Sequence, residues 1–327
     1  MKTSLKSYFP IIRSKEEIRF IIHEHTRLKE LFQSWPSKYQ EEFLNFCSGQ
    51  RGVKILYDSF FKEILNPETA PEYLNELLSL LLGNQVRILQ VLPNDSTRIA
   101  DESSLVIMDI VVEFEDHSIA NVEVQKVGYK FSGQRSACYS ADLLLRQYKR
   151  LRSEKGRSFS YRNIHKVYTI VFFEQSPTEF KSYKKGCIHH FSQSSDTGVK
   201  IDLLQEFCYV SLDIFQSLLH NKGIRSKLDA WLTFLSVDDP DIIATLLEKY
   251  PEFQKLYQQI YELCLNIERV MDMFSKELQE LDRNTVQYMI DEMQEEIDTL
   301  KKEKKFSEER LTNEIAELKK KLALYEK

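Results

Sequence analysis

The alternation of hydrophobic and polar residues predicts a group of short strands in the middle of the chain. Residues 86–92, 105–115 and 119–127 are rich in β-branched side chains, and D-H-S at 116–118 predicts a turn between the last two. Residues 166–174 form a short, unbroken apolar run, which is typical of a buried strand. A further short strand is predicted near 207–212.

Apolar residues at spacings of three and four predict helices on both sides of these strands. The predicted helices cover residues 15–33, 37–48, 53–65, 71–83, 132–152, 213–221, 223–236, 238–249 and 251–282. The order is helix, three strands, helix, strand and a helical remainder. The predicted class is therefore α/β, with a core around a three-stranded mixed sheet, N-terminal helices and a C-terminal helical region.

The last part of the chain has a heptad-like pattern. Beyond residue 286 the composition is rich in Glu and Lys, and apolar residues recur at spacings of four and three: Met289, Met293, Ile297 and Leu300, then Leu311, Ile315, Leu318, Leu322 and Tyr325. Lys304 and Ser307 interrupt this seam. Two interpretations stay open, a solvated single helix and a coiled coil that joins two copies of the chain.

These patterns divide the 327 residues into four predicted parts. Residues 1–50 are a helical extension and residues 51–215 are the α/β core. Residues 216–284 are a helical region, and residues 285–327 are a charged coiled-coil tail.

Composition favours a cytoplasmic protein. Five widely spaced cysteines without a C-x-x-C pair indicate reduced thiols. The basic N-terminus is interrupted by Pro10 and Arg13 and is a poor signal peptide. No stretch approaches the roughly 18 apolar residues of a membrane span, so no membrane partner is expected.

The charge is unevenly distributed. The net charge is −5, yet residues 126–166 contain eleven Lys and Arg against only Asp142 and Glu154. This local excess of positive charge leaves room for a polyanionic partner.

A polar constellation falls on the predicted hairpin. In the register that matches the apolar faces best, Ile110 opposes Val124 and Asp109 opposes Gln125, and Glu123 shares their polar face. Two carboxylates and an amide would then meet at the end away from the turn. Such oxygens can hold Mg²⁺ or Mn²⁺ for phosphodiester hydrolysis. The other interpretation is an ordinary solvent-facing sheet, which also alternates.

Several motifs together resemble the PD-(D/E)xK nuclease superfamily, and within it the family transposases also called recombination-promoting nucleases. In chain order they are D-S-F-F-K at 58–62, the Leu-rich segment 74–82, M-D-I-V-V-E-F-E-D at 108–116, N-V-E-V-Q at 121–125, R-x-x-x-Y at 135–139, the strand at 166–174 and K-L-D-A-W-L-T-F-L at 227–235. Each motif is weak by itself, but their order is specific, and they span about residues 50–240.

This resemblance implies a restriction-endonuclease-like core and a Mg²⁺-dependent (or Mn²⁺-dependent) DNA endonuclease that promotes recombination. The sequence has no recognisable sequence-reading module, so low sequence specificity is expected. It makes Asp109 and Glu123 metal ligands and catalytic residues. Gln125 stands where the wider superfamily has a lysine. Glutamine brings an orienting dipole but no positive charge, so a catalytically weak or inactive protein that binds DNA and oligomerises is the alternative.

The helix after the hairpin is the predicted DNA contact. Arg135 and Tyr139 share a helix face, and a basic run continues through Arg146, Lys149 and Arg150. Tyr139 packing in the core, Arg135 pairing with an acid, and a solvated basic face are the competing interpretations. An acid on an early helix sometimes completes such a site; the candidates are Asp58, Glu63, Glu72 and Glu76.

Overall fold

The structure of the chain is a computed structural model. It describes residues 4–93, 109–126 and 133–279, and ten single positions beyond them: Leu281, Met293, Ile297, Leu300, Lys301, Lys304, Lys305, Ser307, Arg310 and Leu311. The chain forms two compact units, Met1–Phe274 and Ser275–Lys327. No helix among the described residues is both long enough and apolar enough to cross a membrane.

A six-stranded mixed sheet lies at the centre of the first unit, in the order β1-β2-β3-β4-β6-β5. Its strands are β1 (Ile88–Leu92), β2 (Ile110–Phe114), β3 (Ile119–Gln125), β4 (Val167–Phe173), β5 (Ile188–Ser192) and β6 (Gln205–Ser211). β3, β4 and β6 run parallel, and the other neighbours are antiparallel. The α/β class is confirmed, and the three-stranded sheet is corrected to six strands.

Helices precede, interrupt and follow the sheet. They are α1 (Lys15–Glu24), α2 (Thr26–Ser34), α3 (Ser37–Cys47), α4 (Asp58–Ile64), α5 (Pro71–Leu82), α6 (Gly133–Lys155), α7 (Thr178–Lys181), α8 (Leu212–Lys222), α9 (Lys227–Ser236), α10 (Pro240–Lys249) and α11 (Phe253–Cys264). Residues 267–279 are also helical. The predicted helix 251–282 is therefore interrupted between residues 264 and 267, and the helix at 15–33 is divided at His25.

The sheet is covered on both faces, which explains its apolar strands. On one face, Val111, Ile119 and Val171 of the sheet pack with Tyr139 and Leu143 of α6. On the other face, the Phe61 ring of α4 lies 6.4 Å from the Phe172 ring, and α8 packs against β4. The two faces therefore have different coverings, and the predicted polar constellation belongs to the α6 face.

The edge strand β5 is not among the strands predicted from the sequence. Its burial falls from half-buried at Ile188 to exposed at Ser192, and it includes His189 and His190. A strand that is exposed on the outer side of a sheet needs no apolar alternation, so its sequence carries little signal.

Candidate active site

The register of the β2–β3 hairpin differs from the predicted one by two residues. Ile110 pairs with Val122, and Val112 pairs with Ala120. The loop is Glu115–His117: the His117 N–H donates to the Phe114 carbonyl at 2.9 Å, and His117 has a φ of 66°. The left-handed residue closes the three-residue loop earlier than predicted. A two-residue shift keeps every side chain on its predicted face.

The corrected register brings the two carboxylates directly opposite each other. Asp109 directly precedes the first paired residue of β2, and in this register it lies opposite Glu123 rather than Gln125. The Asp109 N–H donates to Glu123 Oε1 at 3.2 Å, and Asp109 Oδ2 accepts from the Val124 N–H at 2.9 Å. The backbone therefore fixes one oxygen of each carboxylate, which orients both groups.

Helix α4 adds a lysine that the sequence interpretation left out of the site. Lys62 Nζ lies 3.3 Å from Asp109 Oδ1 and 2.7 Å from Asp58 Oδ1. Phe60 and Phe61 are fully buried and anchor the helix, which turns Asp58 and Lys62 toward the hairpin end. The motif D-S-F-F-K is recognisable in the sequence, but it does not indicate which strand residue α4 approaches.

Burial makes both carboxyl groups of the pair weaker acids than usual. Burial, and then the charge of Asp109, raise the pKa of Glu123 to about 8. Burial also raises the pKa of Asp109, although Lys62 and the Val124 N–H oppose this shift. For Lys62, burial lowers the pKa, but the charges of Asp109 and Asp58 outweigh it and the net shift is upward. A buried carboxyl with such a pKa is a common feature of functional sites.

Gln125 and Lys126 end β3 on opposite sides of the sheet. Gln125 is half-buried, pairs with Phe173 and shares the face of Glu123. Lys126 Nζ lies 4.8 Å from the centre of the Tyr57 ring, on the α4 side. Lys126 therefore points away from the face of Glu123. This agrees with the alternation of side chains along a strand.

The comparison with protein families agrees with this geometry. The sequence matches a family described as PD-(D/E)XK nuclease family transposase over residues 55–293. The chain belongs to this family. A comparison with curated proteins gave no match. The resemblance inferred from the motifs is thus confirmed, and the matched region begins just before α4 and includes the hairpin and α6.

Membership of this nuclease family indicates a nuclease-related function with DNA as the class of substrate. It directs attention to α6, whose first turns lie next to the carboxylates. Arg135 Nε donates to the Tyr139 hydroxyl at 2.7 Å. Burial and the charge of Glu123 raise the pKa of Tyr139, and the charge of Arg135 stabilises the ionised form of Glu123. Tyr139 is 2% exposed and belongs to the core, whereas Arg135 is exposed.

The other predicted DNA contacts divide into two groups. Arg146 bonds to Asp142 at 2.7 Å and to the Pro93 carbonyl at 2.8 Å. Arg150 bonds to the buried Glu113 at 3.0 Å. These two arginines attach α6 to the sheet, while Lys149 is exposed to solvent.

The fold gives the acidic residues of the early helices different partners. Glu63 pairs with Arg269 at 2.7 Å, and Glu76 accepts from the Trp231 indole N–H at 2.8 Å. Asp58 reaches the site through Lys62. Of the acids with these contacts, Asp58 is the one tied to the carboxylate pair.

The donor set of this candidate site suits a hard divalent cation. Two carboxylates lie together, and burial, followed by the charge of Asp109, raises the pKa of Glu123, so a cation bound between them would favour their ionised forms. In the part of the chain that the structure describes, no three His, Cys, Asp or Glu side chains are grouped to hold a metal ion. Mg²⁺ commonly uses one or two carboxylates and takes its other ligands from water and substrate phosphate. Asp109 and Glu123 therefore fit such an ion.

Proposed function

We propose that this protein is a metal-dependent DNA endonuclease that hydrolyses phosphodiester bonds. The observation that carries the proposal is the pairing of Asp109 with Glu123 at the end of the hairpin, with Lys62 Nζ 3.3 Å from Asp109 Oδ1. Family membership supports it. Asp109 and Glu123 would hold Mg²⁺ or Mn²⁺, which when bound polarises the phosphate and activates water for attack.

The remaining residues of the site divide the work of binding and charge stabilisation. Gln125, on the face of Glu123, would orient the attacking water through its amide. Lys62 would supply the positive charge that Gln125 lacks, next to the phosphate on which negative charge develops during hydrolysis. Arg135, held by Tyr139, would bind a phosphate beside the site. Lys149 would contact the DNA backbone farther along α6.

Low sequence specificity is part of the proposal. Contacts from Arg135 and Lys149 to phosphates would position the duplex without reading its bases. Cleavage of this kind suits a role in recombination, inside the cell where the DNA lies. The heptad pattern of the tail supports a homodimer, which would bring two active sites to one DNA molecule.

The test is nicking of supercoiled plasmid DNA by the purified full chain with Mg²⁺ or Mn²⁺. We expect Asp109→Asn and Glu123→Gln to reduce the nicking rate at least about 100-fold, because each removes a charged ligand. Glu154→Gln, which changes an exposed carboxylate of α6, is the matched control and should nick normally.

Nicking at the full rate by Asp109→Asn would contradict the assigned site. Titration with Mn²⁺ separates the alternative function. The nuclease needs a site that binds Mn²⁺ and that is lost in Glu123→Ala, whereas a wild-type chain that binds DNA but neither binds Mn²⁺ through Glu123 nor nicks the plasmid would be a DNA-binding descendant of the nuclease fold. The Gln at position 125 is the observation that makes this outcome worth measuring.

A further inference from the structure

A cluster of three aromatic rings lies at the far end of α6, away from the carboxylates. The rings of Tyr148 and Tyr161 are stacked, with an interplanar angle of 10° and centroids 5.9 Å apart. Phe159 meets both rings edge-on, with centroids 5.5 Å from each. The Arg152 guanidinium lies 5.8 Å from the centre of the Tyr148 ring. We call Tyr148, Arg152, Phe159 and Tyr161 the aromatic platform.

The exposure of one ring shows that core packing does not account for the whole platform. Tyr148 and Phe159 are half-buried, but Tyr161 is 70% exposed. A single exposed tyrosine is ordinary. This one continues a stack and therefore presents an ordered aromatic face to solvent, with an arginine beside the stack.

The backbone around Tyr161 is ordered by local hydrogen bonds. Tyr161 lies in the short 3-10 turn Tyr161–Asn163, where Asn163 Oδ1 accepts from the Ser160 N–H at 3.0 Å and Ser160 Oγ accepts from the Arg162 N–H at 3.4 Å. The ring is thus attached to a capped turn. A ligand that stacks on a preorganised ring loses less conformational entropy on binding than one that must order a loop.

The charge around the platform selects a polyanion. Between residues 149 and 162 the sequence has six Lys or Arg and one acid, Glu154. Arg150 is used internally by Glu113, whereas the others are exposed: Lys149, Arg152, Lys155, Arg157 and Arg162. Aromatic rings bordered by exposed cations are the arrangement by which proteins bind single-stranded nucleic acid, with rings stacking on bases and cations on phosphates.

The distance from the candidate active site is compatible with one DNA molecule contacting both. Tyr139 beside Glu123 and Arg152 on the platform are separated by thirteen helical positions on α6, or about 20 Å at 1.5 Å per residue. At 3.4 Å per stacked nucleotide, this length corresponds to about six nucleotides. In a duplex the bases stack on one another, so a surface tyrosine reaches a base only where the strand is unpaired.

We propose that the aromatic platform binds the bases of an unpaired DNA strand, so that the substrate of this protein is DNA with a single-stranded segment. The platform's binding of single strands is independent of the metal site, whereas its place in a cleavage substrate rests on the proposed endonuclease function.

The test is equilibrium binding measured by fluorescence anisotropy, in EDTA, so that no cleavage occurs. The probes are a labelled DNA strand of about 16 nucleotides and the duplex of the same sequence. We expect Tyr161→Ala to weaken binding of the single strand about 5- to 150-fold, the loss of one stacked base, and to leave duplex binding unchanged. Tyr161→Trp should keep the affinity. Phe20→Ala, which removes a ring that is 66% exposed on α1, is the matched control.

Three results would overturn the proposal: equal loss of single-strand and duplex binding in Tyr161→Ala, no loss in that variant, or tighter binding of the RNA strand of the same sequence than of the DNA strand. The unfolding temperature of Tyr161→Ala should fall by no more than about 4 °C, since the ring is 70% exposed and loses only its contacts with Tyr148 and Phe159. Because the assay contains no divalent ion, a failure of the nuclease proposal leaves this result intact, and the plasmid assay fails or succeeds separately.

Discussion

Lys62 changes how the glutamine at position 125 is interpreted. Read from the strand alone, Gln125 leaves the carboxylate pair without a positive neighbour. The structure places a positive charge there from α4, with Lys62 Nζ 3.3 Å from Asp109 Oδ1. Asp58, at 2.7 Å, holds the lysine in position. A charge delivered from another element can act on the same atoms as a charge on the strand, because Coulomb interactions depend on distance and not on chain order.

We predict that Lys62→Met lowers the nicking rate about 100-fold or more while Mn²⁺ binding is kept. The reason is that, in the proposed function, Lys62 would contribute charge near the scissile phosphate without being a metal ligand. Plasmid nicking and Mn²⁺ titration measure the two quantities separately. Lys54→Met is the matched control, since Lys54 pairs with Glu42 at 2.8 Å rather than with Asp109.

A second change sharpens this prediction. Adding Gln125→Lys to the Lys62→Met variant puts the charge back on the face of Glu123, so part of the lost rate should return. If Lys62→Met lost Mn²⁺ binding together with nicking, Lys62 would be a structural support for Asp109 and the charge argument would be wrong.

The pKa of Glu123 leads to a prediction about stability. In the metal-free protein this pKa is about 8, above the ordinary value of 4.5. A group with a raised folded-state pKa favours folding below its unfolded-state pKa, and this contribution is lost as pH rises through the folded-state value. Glu123→Gln carries no such loss. In EDTA its unfolding temperature should exceed that of the wild type by about 3 °C or more at pH 8.

The pH dependence of that difference is the critical measurement. It should grow from pH 5 to pH 8 and become smaller when excess Mg²⁺ stabilises the wild type. A Glu123→Gln variant that is less stable than the wild type at pH 8 in EDTA would show that the ionised carboxylate is well accommodated, contrary to its raised pKa.

Among the elements, the hairpin shows what the sequence could and could not predict. Alternation in residues 119–125 gave the correct faces, because a strand has a period of two whatever its partner. The register was wrong by two residues, since matching apolar faces cannot distinguish registers that differ by a whole period. The observed register follows from His117, whose left-handed backbone closes the loop earlier than predicted. Nothing in the sequence clearly marks this histidine for that conformation.

The opposite end of the same hairpin holds a buried polar cluster that attaches it to β1 and α6. Glu113 is 2% exposed and accepts from Gln90 at 2.7 Å and from Arg150 at 3.0 Å, and it bonds to His117 at 2.8 Å. Burial raises the pKa of Glu113, but these bonds outweigh it and the net shift is downward. The carboxylate form therefore stabilises the fold above the unfolded-state pKa, and this stability is lost as pH falls.

We predict that Glu113→Gln lowers the free energy of unfolding by about 1.5–3 kcal/mol at pH 7, the value of a hydrogen bond to a charged group. Urea unfolding at pH 7 and at pH 4 measures the effect. The difference from the wild type should shrink at pH 4, because this pH lies below the ordinary glutamate pKa of 4.5 and proton uptake there favours the unfolded chain. A difference that is the same at both pH values would assign the effect to shape rather than charge. Glu154→Gln is again the exposed control.

At the scale of the whole molecule, contacts between distant segments were beyond the reach of the sequence. The fully buried Phe274 lies 5.2 Å from the Trp35 ring, 5.8 Å from Phe43 and 5.5 Å from Phe46. Helices from the two ends of the first unit therefore share one aromatic core. Periodicity predicted each helix by itself, but a period gives only the direction of an apolar face and never names the partner that covers it.

The second unit carries an apolar seam whose partner can be tested directly. Met293, Ile297, Leu300 and Leu311 are helical and about half-exposed in a single chain. Their spacings of four, three and eleven keep one stripe, and the eleven-residue step across Lys304 and Ser307 is a stutter that weakens a coiled coil without ending it. Because such a stripe gains stability when two copies cover each other, we predict a dimer of modest affinity.

Light scattering over a concentration series should show the full chain changing from monomer to dimer, and Ile297→Glu should stay monomeric at every concentration. Lys305→Gln makes the same change in charge at an exposed helical position off the stripe and should dimerise normally. If Ile297→Glu dimerised as well as the wild type, the two copies would be joined through another surface and the tail would be a solvated single helix. If the wild type stayed monomeric at every concentration, the DNA would be met by one active site at a time.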